Sequence, residues 1–252
     1  MEVITSLQNV HVKTWKKLQT RKGRQKSGQY LVEGFHLVEE ALAQDGLVKE
    51  VIYTKDTILP FSLTETAFDV YEVTREVSHA ISDTKTDQGV FAVVEMLEPS
   101  ILMLFGKRFL LVDAVQDPGN VGTLIRTADA AGYDAVVLGR GSADLYNPKV
   151  IRSAQGSHFH IPVIQANLLE WIGGLEEEGV PVIGALLDEH ATKLEDIGPK
   201  ETLALVVGNE GAGISAPIVE RLSERVYIPI YGKSESLNVA VAAGILMYGI
   251  RK

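Results

Sequence analysis

The chain has 252 residues, of which 46% are hydrophobic and 23% charged. That is enough apolar material for one large or two modest folded domains, and the charge is too low for wholesale disorder. With no cysteine, disulfides and thiolate metal sites are excluded. The net charge of −9 hides an asymmetry: residues 1–32 hold seven basic side chains against Glu2, a local +6 that leaves −15 on the rest. Screening confines charge effects to about 8 Å at physiological salt, so a basic patch on an acidic body can still hold phosphate. The N-terminus lacks the apolar core of a signal peptide. The longest uncharged apolar stretch, Val239 to Ile250, has twelve residues where a membrane span needs about 20. We therefore expect no membrane partner, and a reducing, cytoplasmic location.

In chain order, Ser6 to Leu18 reads as a helix. Lys13, Lys16 and Lys17 fall at i, i+3 and i+4 on one face of it, and Arg21, Lys22, Arg24 and Lys26 continue the charge into a loop. Gln29 to Glu33 reads as a strand, Phe35 to Ala43 as a helix, and Val48 to Tyr53, Asp69 to Val73 and Val90 to Glu95 as strands. This is a small α/β unit. The stretch from Met96 to Lys107, with Pro99 and Gly106, is the best boundary, and its apolar run Ile101 to Phe105 is expected to pack rather than hang free. The division is therefore 1–97, a connection at 98–107, and 108–252.

Beyond it, strands and helices alternate. The strands are Phe109 to Val112, Ala135 to Leu138, His160 to Ile164, Val180 to Leu186, Leu203 to Val207 and Arg225 to Ile228. The helices are Val121 to Ala131, Pro148 to Gln155, Leu168 to Glu177, Ala216 to Leu222 and Leu237 to Tyr248. Short apolar strands alternating with helices predict a mostly parallel sheet covered on both faces. The last helix is apolar nearly all round and is expected to be buried.

Three polar, glycine-rich segments each follow a strand, where ligands bind in open α/β sheets. The first, Asp113 to Arg126, has a Pro118–Gly119 turn, Asn120 as a possible helix cap, and Arg126 projecting from a helix otherwise apolar at Leu124, Ile125 and Ala128. The second is Gly208-Asn209-Glu210-Gly211-Ala212-Gly213, whose spacing is that of neither a dinucleotide fingerprint nor a P-loop. The third runs from Ile228 through Ile230, Gly232, Ser236, Leu237 and Asn238 to Val239. Taken singly, each fits a structural turn or cap as well as a site. Gly139-Arg140-Gly141 also follows a strand, but the third fingerprint glycine would fall at Asp144. His158 and His160 share one face of an expected strand, and without cysteine or an acidic cluster no metal is expected.

Together and in this order, the segments resemble the three motifs of the SpoU-type RNA 2′-O-ribose methyltransferases of the SPOUT superfamily (TrmH-like). They match as D-P-x-N-x-G-x-x-x-R, G-x-E-x-x-G and I-P-x-x-G-x-x-x-S-L-N-V. The segment Asp144 to Gly156 is also similar to the family, and the match spans 108–252. The first unit, on its basic start and Tyr30-Leu31-Val32-Glu33-Gly34, resembles a ribosomal-protein-like substrate-binding domain.

The resemblance implies an α/β SPOUT domain with a deep trefoil knot, which general folding rules would argue against, and a homodimer. It implies S-adenosylmethionine as cofactor, held around Gly208, Asn209, Ile228, Ile230 and Leu237. It makes Arg126 the central catalytic residue, supported by Asn120, Glu210, Ser236 and Asn238. Arginine side chains stay protonated in proteins, so a phosphate clamp that stabilises a developing alkoxide is physically easier than a base. The basic start, Lys13, Lys16, Lys17, Arg21 and Lys22, is expected to capture RNA. Ribosomal RNA is favoured over tRNA. The competing reading is a non-catalytic RNA-binding or ribosome-assembly protein with a degenerate domain, which S-adenosylmethionine calorimetry would separate from the enzyme.

Overall fold

A computed structural model describes residues 2–59, 67–96 and 106–251. The chain divides into two compact units: Met1–Glu98 with Tyr146–Phe159, and Pro99–Leu145 with His160–Lys252. The expected packing of Ile101 to Phe105 lies outside the described residues. No helix among the described residues is long and apolar enough to cross a membrane.

In the first unit, β1 (Glu2–Ile4), β2 (Gln29–Glu33), β3 (Val48–Thr54), β4 (Asp69–Val73) and β5 (Val90–Glu95) form a sheet in the order β1-β4-β3-β5-β2. β1, β4 and β3 run parallel, and β5 pairs antiparallel with β3 and β2. The first five residues of β5 are buried, because both faces of the sheet are covered. One face packs on Val12, Trp15 and Leu18 of α1 (Val10–Leu18) and on Val77 and Ile81 of α4 (Arg75–Ile81). The other packs on Leu37, Val38 and Ala41 of α3 (Phe35–Leu42) and on Ile151 of α6 (Pro148–Ala154).

The basic start departs from expectation. α1 begins at Val10, not Ser6, because the Asn9 side chain accepts the His11 N–H at 2.8 Å and caps it there. Arg21 to Lys26 do not lie in a loop. They form α2 (Arg21–Ser27), capped by Thr20 Oγ1 accepting from Gly23 N and closed by left-handed Gly28. A Cβ on Gly23 would lie 1.9 Å from the Lys17 carbonyl oxygen, so glycine is what lets α2 fold back on α1. Arg24 is buried and donates to Leu18 O at 2.9 Å, whereas Lys13, Lys16, Lys17, Arg21, Lys22 and Lys26 are exposed.

The histidines also differ. Ser157–His160 is a short helix, α7, and the strand shrinks to β8 (Val163–Gln165). His158 is buried with its Nε2 3.1 Å from Tyr30 Oη, while His160 is exposed and its Nδ1 lies 3.2 Å from Asp129 Oδ2. They do not share a face of a strand.

In the second unit, β6 (Arg108–Val112), β7 (Ala135–Leu138), β8, β9 (Val182–Ala185), β10 (Thr192–Lys193), β11 (Leu203–Val207) and β12 (Glu224–Tyr227) form a seven-stranded sheet. Its order is β10-β12-β9-β11-β6-β7-β8, and every pair is parallel. Central strands such as LALVV of β11 are buried at every position, as the continuous apolar runs predict. α8 (Leu168–Glu177) and α9 (Ala216–Val219) cover one face through Leu168, Ile172, Leu175 and Ile218. α5 (Pro118–Ala130) and α10 (Val239–Ile250) pack together, with Tyr248 Oη donating to Ala130 O at 3.1 Å. α10 is not buried all round: Val241, Ile245 and Tyr248, at i, i+4 and i+7, are 52%, 41% and 58% exposed in the single chain.

Candidate active site

β6 and β11 are neighbours in register, with Val112 beside Val207, so the loops that follow them leave the sheet side by side. The loop after β11 closes on itself. Asn209 and Gly213 exchange backbone hydrogen bonds at 2.9 Å, and a Cβ on Gly208 would lie 2.2 Å from the Gly213 carbonyl carbon. Only glycine permits that closure. Asn209 accepts from the Gly211 and Ala212 N–H groups and donates to Ala114 O at 2.8 Å, which ties the second loop to the first. Asp113, 8% exposed, accepts the Ser215 N–H at 2.7 Å and makes a second tie. Between these ties Ala114 adopts a φ of 55°, a left-handed conformation uncommon outside glycine.

Asn120 does not cap α5. Asp117 does, accepting the Asn120 N–H at 3.0 Å, and Pro118 opens the helix where its missing N–H is harmless. The Asp-Pro pair carried that signal in the sequence. Freed from capping, the Asn120 side chain joins all three loops. Its Nδ2 donates to Glu210 Oε1 at 3.0 Å, and its Oδ1 accepts from Asn238 Nδ2 at 2.9 Å. Asn238 in turn caps α10, its Oδ1 accepting from the Ala240 and Val241 N–H groups. Glu210 also accepts from the backbone N–H of Gln116 and Asp117, each at 3.3 Å. Partial burial works to raise the Glu210 pKa, but these hydrogen bonds, Asn120 foremost, outweigh it and hold the carboxyl below its usual range.

The structure thus brings Asn120, Glu210 and Asn238 together. Arg126 stands apart from their network. It is exposed on α5, six residues or about 9 Å of helix beyond Asn120. Ser236 is exposed, and its carbonyl accepts from Ser234 Oγ at 2.8 Å.

Two cavities share Ala185, Ser236, Leu237 and Ala242. One, about 350 Å³, is lined by Gly208, Asn209, Glu210 and Asn238. The other, about 400 Å³, is lined by Leu186, Val226, Ile228, Ile230 and Leu246. An apolar wall beside a polar edge, at this size, is that of a small-molecule site. The fold and these loops define an α/β enzyme with a small-molecule cofactor site at its strand ends.

Comparison with known proteins agrees. The SpoU rRNA Methylase family matches residues 107–248, and the MRM3-like substrate binding domain matches residues 9–92. The chain is 49% identical to the 23S rRNA (guanosine(2553)-2′-O)-methyltransferase RlmP of Bacillus subtilis (strain 168), over 100% of both chains. An AdoMet-bound rRNA methyltransferase from Sinorhizobium meliloti superposes with a TM-score of 0.87 at 29% identity, covering 99% of this chain and 97% of that one. The SpoU methyltransferase AviRb from Streptomyces viridochromogenes, in complex with AdoMet, gives 0.84 at 26% identity, covering 96% and 97%. The chain belongs to the SpoU rRNA methylase family. The resemblance read from the three loops, and the α/β class it implied, are borne out.

Proposed function

We infer that in this S-adenosylmethionine-dependent RNA 2′-O-ribose methyltransferase Arg126 is the catalytic centre, and that the substrate is ribosomal RNA. The observation that supports this reading is the pair of cavities at the strand ends, walled by loops that the hydrogen-bonded chain Glu210–Asn120–Asn238 joins, with Arg126 exposed on the helix that follows the first of those loops. The rRNA substrate rests on the rRNA methyltransferases to which the chain is similar and on the match of its first unit to a substrate-binding domain.

When bound, S-adenosylmethionine supplies an electrophilic methyl group together with its own leaving group. The protein must hold a ribose hydroxyl in line and manage its proton. Gly208, Asn209, Ile228, Ile230 and Leu237 would hold the cofactor, largely through backbone and apolar surface. Glu210 and Asn238 fix the loops through Asn120, and Ser236 sits on the rim they share. Alignment of this kind supplies roughly 7–11 kcal/mol in well-oriented systems. Arg126, exposed and outside that network, is free to clamp the RNA phosphate and to stabilise negative charge growing on the ribose oxygen as its proton leaves.

Three further assignments travel with this reading. Lys13, Lys16, Lys17, Arg21 and Lys22 form the RNA-capturing face. The exposed apolar stripe of α10 is the core of a homodimer interface. The path from β11 to α10 is the family's trefoil knot, in a protein working in the cytoplasm where rRNA matures.

Arg126→Ala tests the centre. We expect turnover on rRNA to fall more than about tenfold, which is over about 1.4 kcal/mol of transition-state stabilisation. S-adenosylmethionine affinity and the melting temperature should stay at wild-type values. Retention of more than a tenth of wild-type turnover at saturating RNA overturns the role.

A further inference from the structure

The segment Tyr146–Phe159 lies inside the sequence span that matches the methylase family, yet it folds with the first unit. It closes a cleft there. The cleft holds about 240 Å³ and is lined by Glu33, His36, Thr84, Thr86, Gln88, Arg152 and Gln155, with Gly34 and Leu37 behind them. None of these residues enters the machinery described above.

The cleft's lining is mostly polar. Gln155 ends α6 in a left-handed conformation, φ 49°, and its carbonyl accepts from His36 Nε2 at 3.1 Å. A non-glycine residue held in that conformation is strained, and such strain concentrates at functional sites. The Glu33 carboxylate takes hydrogen bonds from Ser82 Oγ, Thr84 Oγ1 and the Asp83 N–H, so its charge is spread over local donors. Arg152 Nη1 pairs with Asp83 Oδ2 at 3.0 Å, with both side chains about 40% exposed, 41% and 39%. A guanidinium has five N–H donors, so one such bond leaves most of the fork available. His36, Thr86, Gln88 and Gln155 are exposed.

We propose that this cleft is an RNA subsite that takes one unpaired nucleotide of the substrate, the base among the amides and hydroxyls and a neighbouring phosphate on Arg152. The volume is below the roughly 300–1,000 Å³ of sites that bury a whole drug-sized ligand, and suits a single base. Sequence-specific RNA readers take bases splayed out of single strands and bond their edges with mixed donors and acceptors. Gln88 Oε1 already accepts from Phe35 N at 3.0 Å, Gln155 Nε2 donates to Arg152 O at 2.6 Å and Thr84 Oγ1 donates to Glu33. The set that faces a base edge is therefore the Gln88 Nε2 donor, the Gln155 Oε1 acceptor and the Thr86 hydroxyl, a mixed set that does not favour a purely anionic ligand. The proposal rests on the reading of the chain as an rRNA methyltransferase, and it places substrate discrimination partly in a segment of the catalytic sequence.

The test compares Arg152→Ala with Asp83→Ala, using unmodified 23S rRNA as probe. It measures RNA affinity at two salt concentrations, kcat and KM for methyl transfer, and melting temperature. If Arg152 binds phosphate, its removal raises KM about tenfold with little change in kcat and flattens the salt slope by about 0.7–0.9. Asp83→Ala breaks the same ion pair but removes a negative charge, so it should leave RNA affinity unchanged or tighter. Gln155→Gly, which relieves the strained φ and deletes one amide, should raise KM while the fold stays intact. Parallel loss of affinity in Arg152→Ala and Asp83→Ala, or wild-type KM in Arg152→Ala and Gln155→Gly, overturns the subsite. If the wild-type protein fails to methylate the RNA at all, it is the underlying functional reading that has failed.

Discussion

Asn120 shows how much of the site depends on a single amide. It donates to Glu210 and accepts from Asn238, a pair of roles that a carboxylate of the same size cannot fill. Asn120→Ala removes both bonds at a partly open site, where each contributes about 0.5–1.5 kcal/mol. Asn120→Asp sets a second carboxylate beside Glu210, and like charges so placed push one pKa up. We expect Asn120→Asp to lose more S-adenosylmethionine affinity than Asn120→Ala near neutral pH, and to recover part of it as pH falls toward 5. In the wild type the folded Glu210 pKa lies below 4.5, so its contribution is fully present above about that value and is lost only as pH falls through the lower folded one. Cofactor affinity should therefore show no acid limb from Glu210 between about pH 5 and 8. Calorimetry across that range checks both statements, and an Asn120→Asp deficit that deepens on acidification contradicts them. The types at Asn120, Glu210 and Asn238 were legible as motif positions. Their bonds were not, because they join residues 90 and 118 apart in sequence.

Among the elements, those with strong apolar periodicity or runs were readable: β4, β11 and α8 begin and end where the sequence places them. α2 was not, because the buried position of RKGRQKS is an arginine and its close approach to α1 depends on Gly23. The correction changes where the proposed RNA-capturing charges stand. Lys16 and Lys17 in the last turn of α1 and Arg21 and Lys22 in the first turn of α2 are exposed on two abutting helices rather than on a loop. Changing these four to Ala should weaken rRNA binding and flatten its salt slope by up to about 0.7–0.9 per lost phosphate contact, with cofactor affinity unchanged. An RNA affinity in the quadruple variant unchanged from wild type at both low and high salt would show that these charges only solvate the helices. α10 carries the other element-scale expectation. A charge in the middle of its exposed apolar stripe, Ile245→Glu, should turn a dimer into a monomer in light scattering at micromolar protein. A wild-type chain already monomeric there contradicts the interface. The stripe was hidden in the sequence because α10 is apolar nearly all round, so its pattern cannot say which face the chain itself covers.

At the scale of the whole molecule, charge and chemistry are divided between two units. The basic helices belong to the first, and the three hydrogen-bonded loops with the two cavities they wall belong to the second. Strand–helix alternation made the parallel sheet legible, but not the allegiance of Tyr146–Phe159. That segment is sequence-contiguous with the catalytic unit and packs its Ile151 against Val32 and Val51 of the other, a choice set by long-range burial rather than by local pattern. The central claim joins the two units: this chain places a methyl group on a ribose 2′-hydroxyl of rRNA. Mapping ribose methylation in total RNA from cells with and without the protein tests it most directly. The account predicts that one 2′-O-methyl mark in rRNA disappears, returns with the wild-type chain, and does not return with Arg126→Ala. An rRNA methylation pattern unchanged by loss of the protein, or a lost mark confined to tRNA, would contradict it.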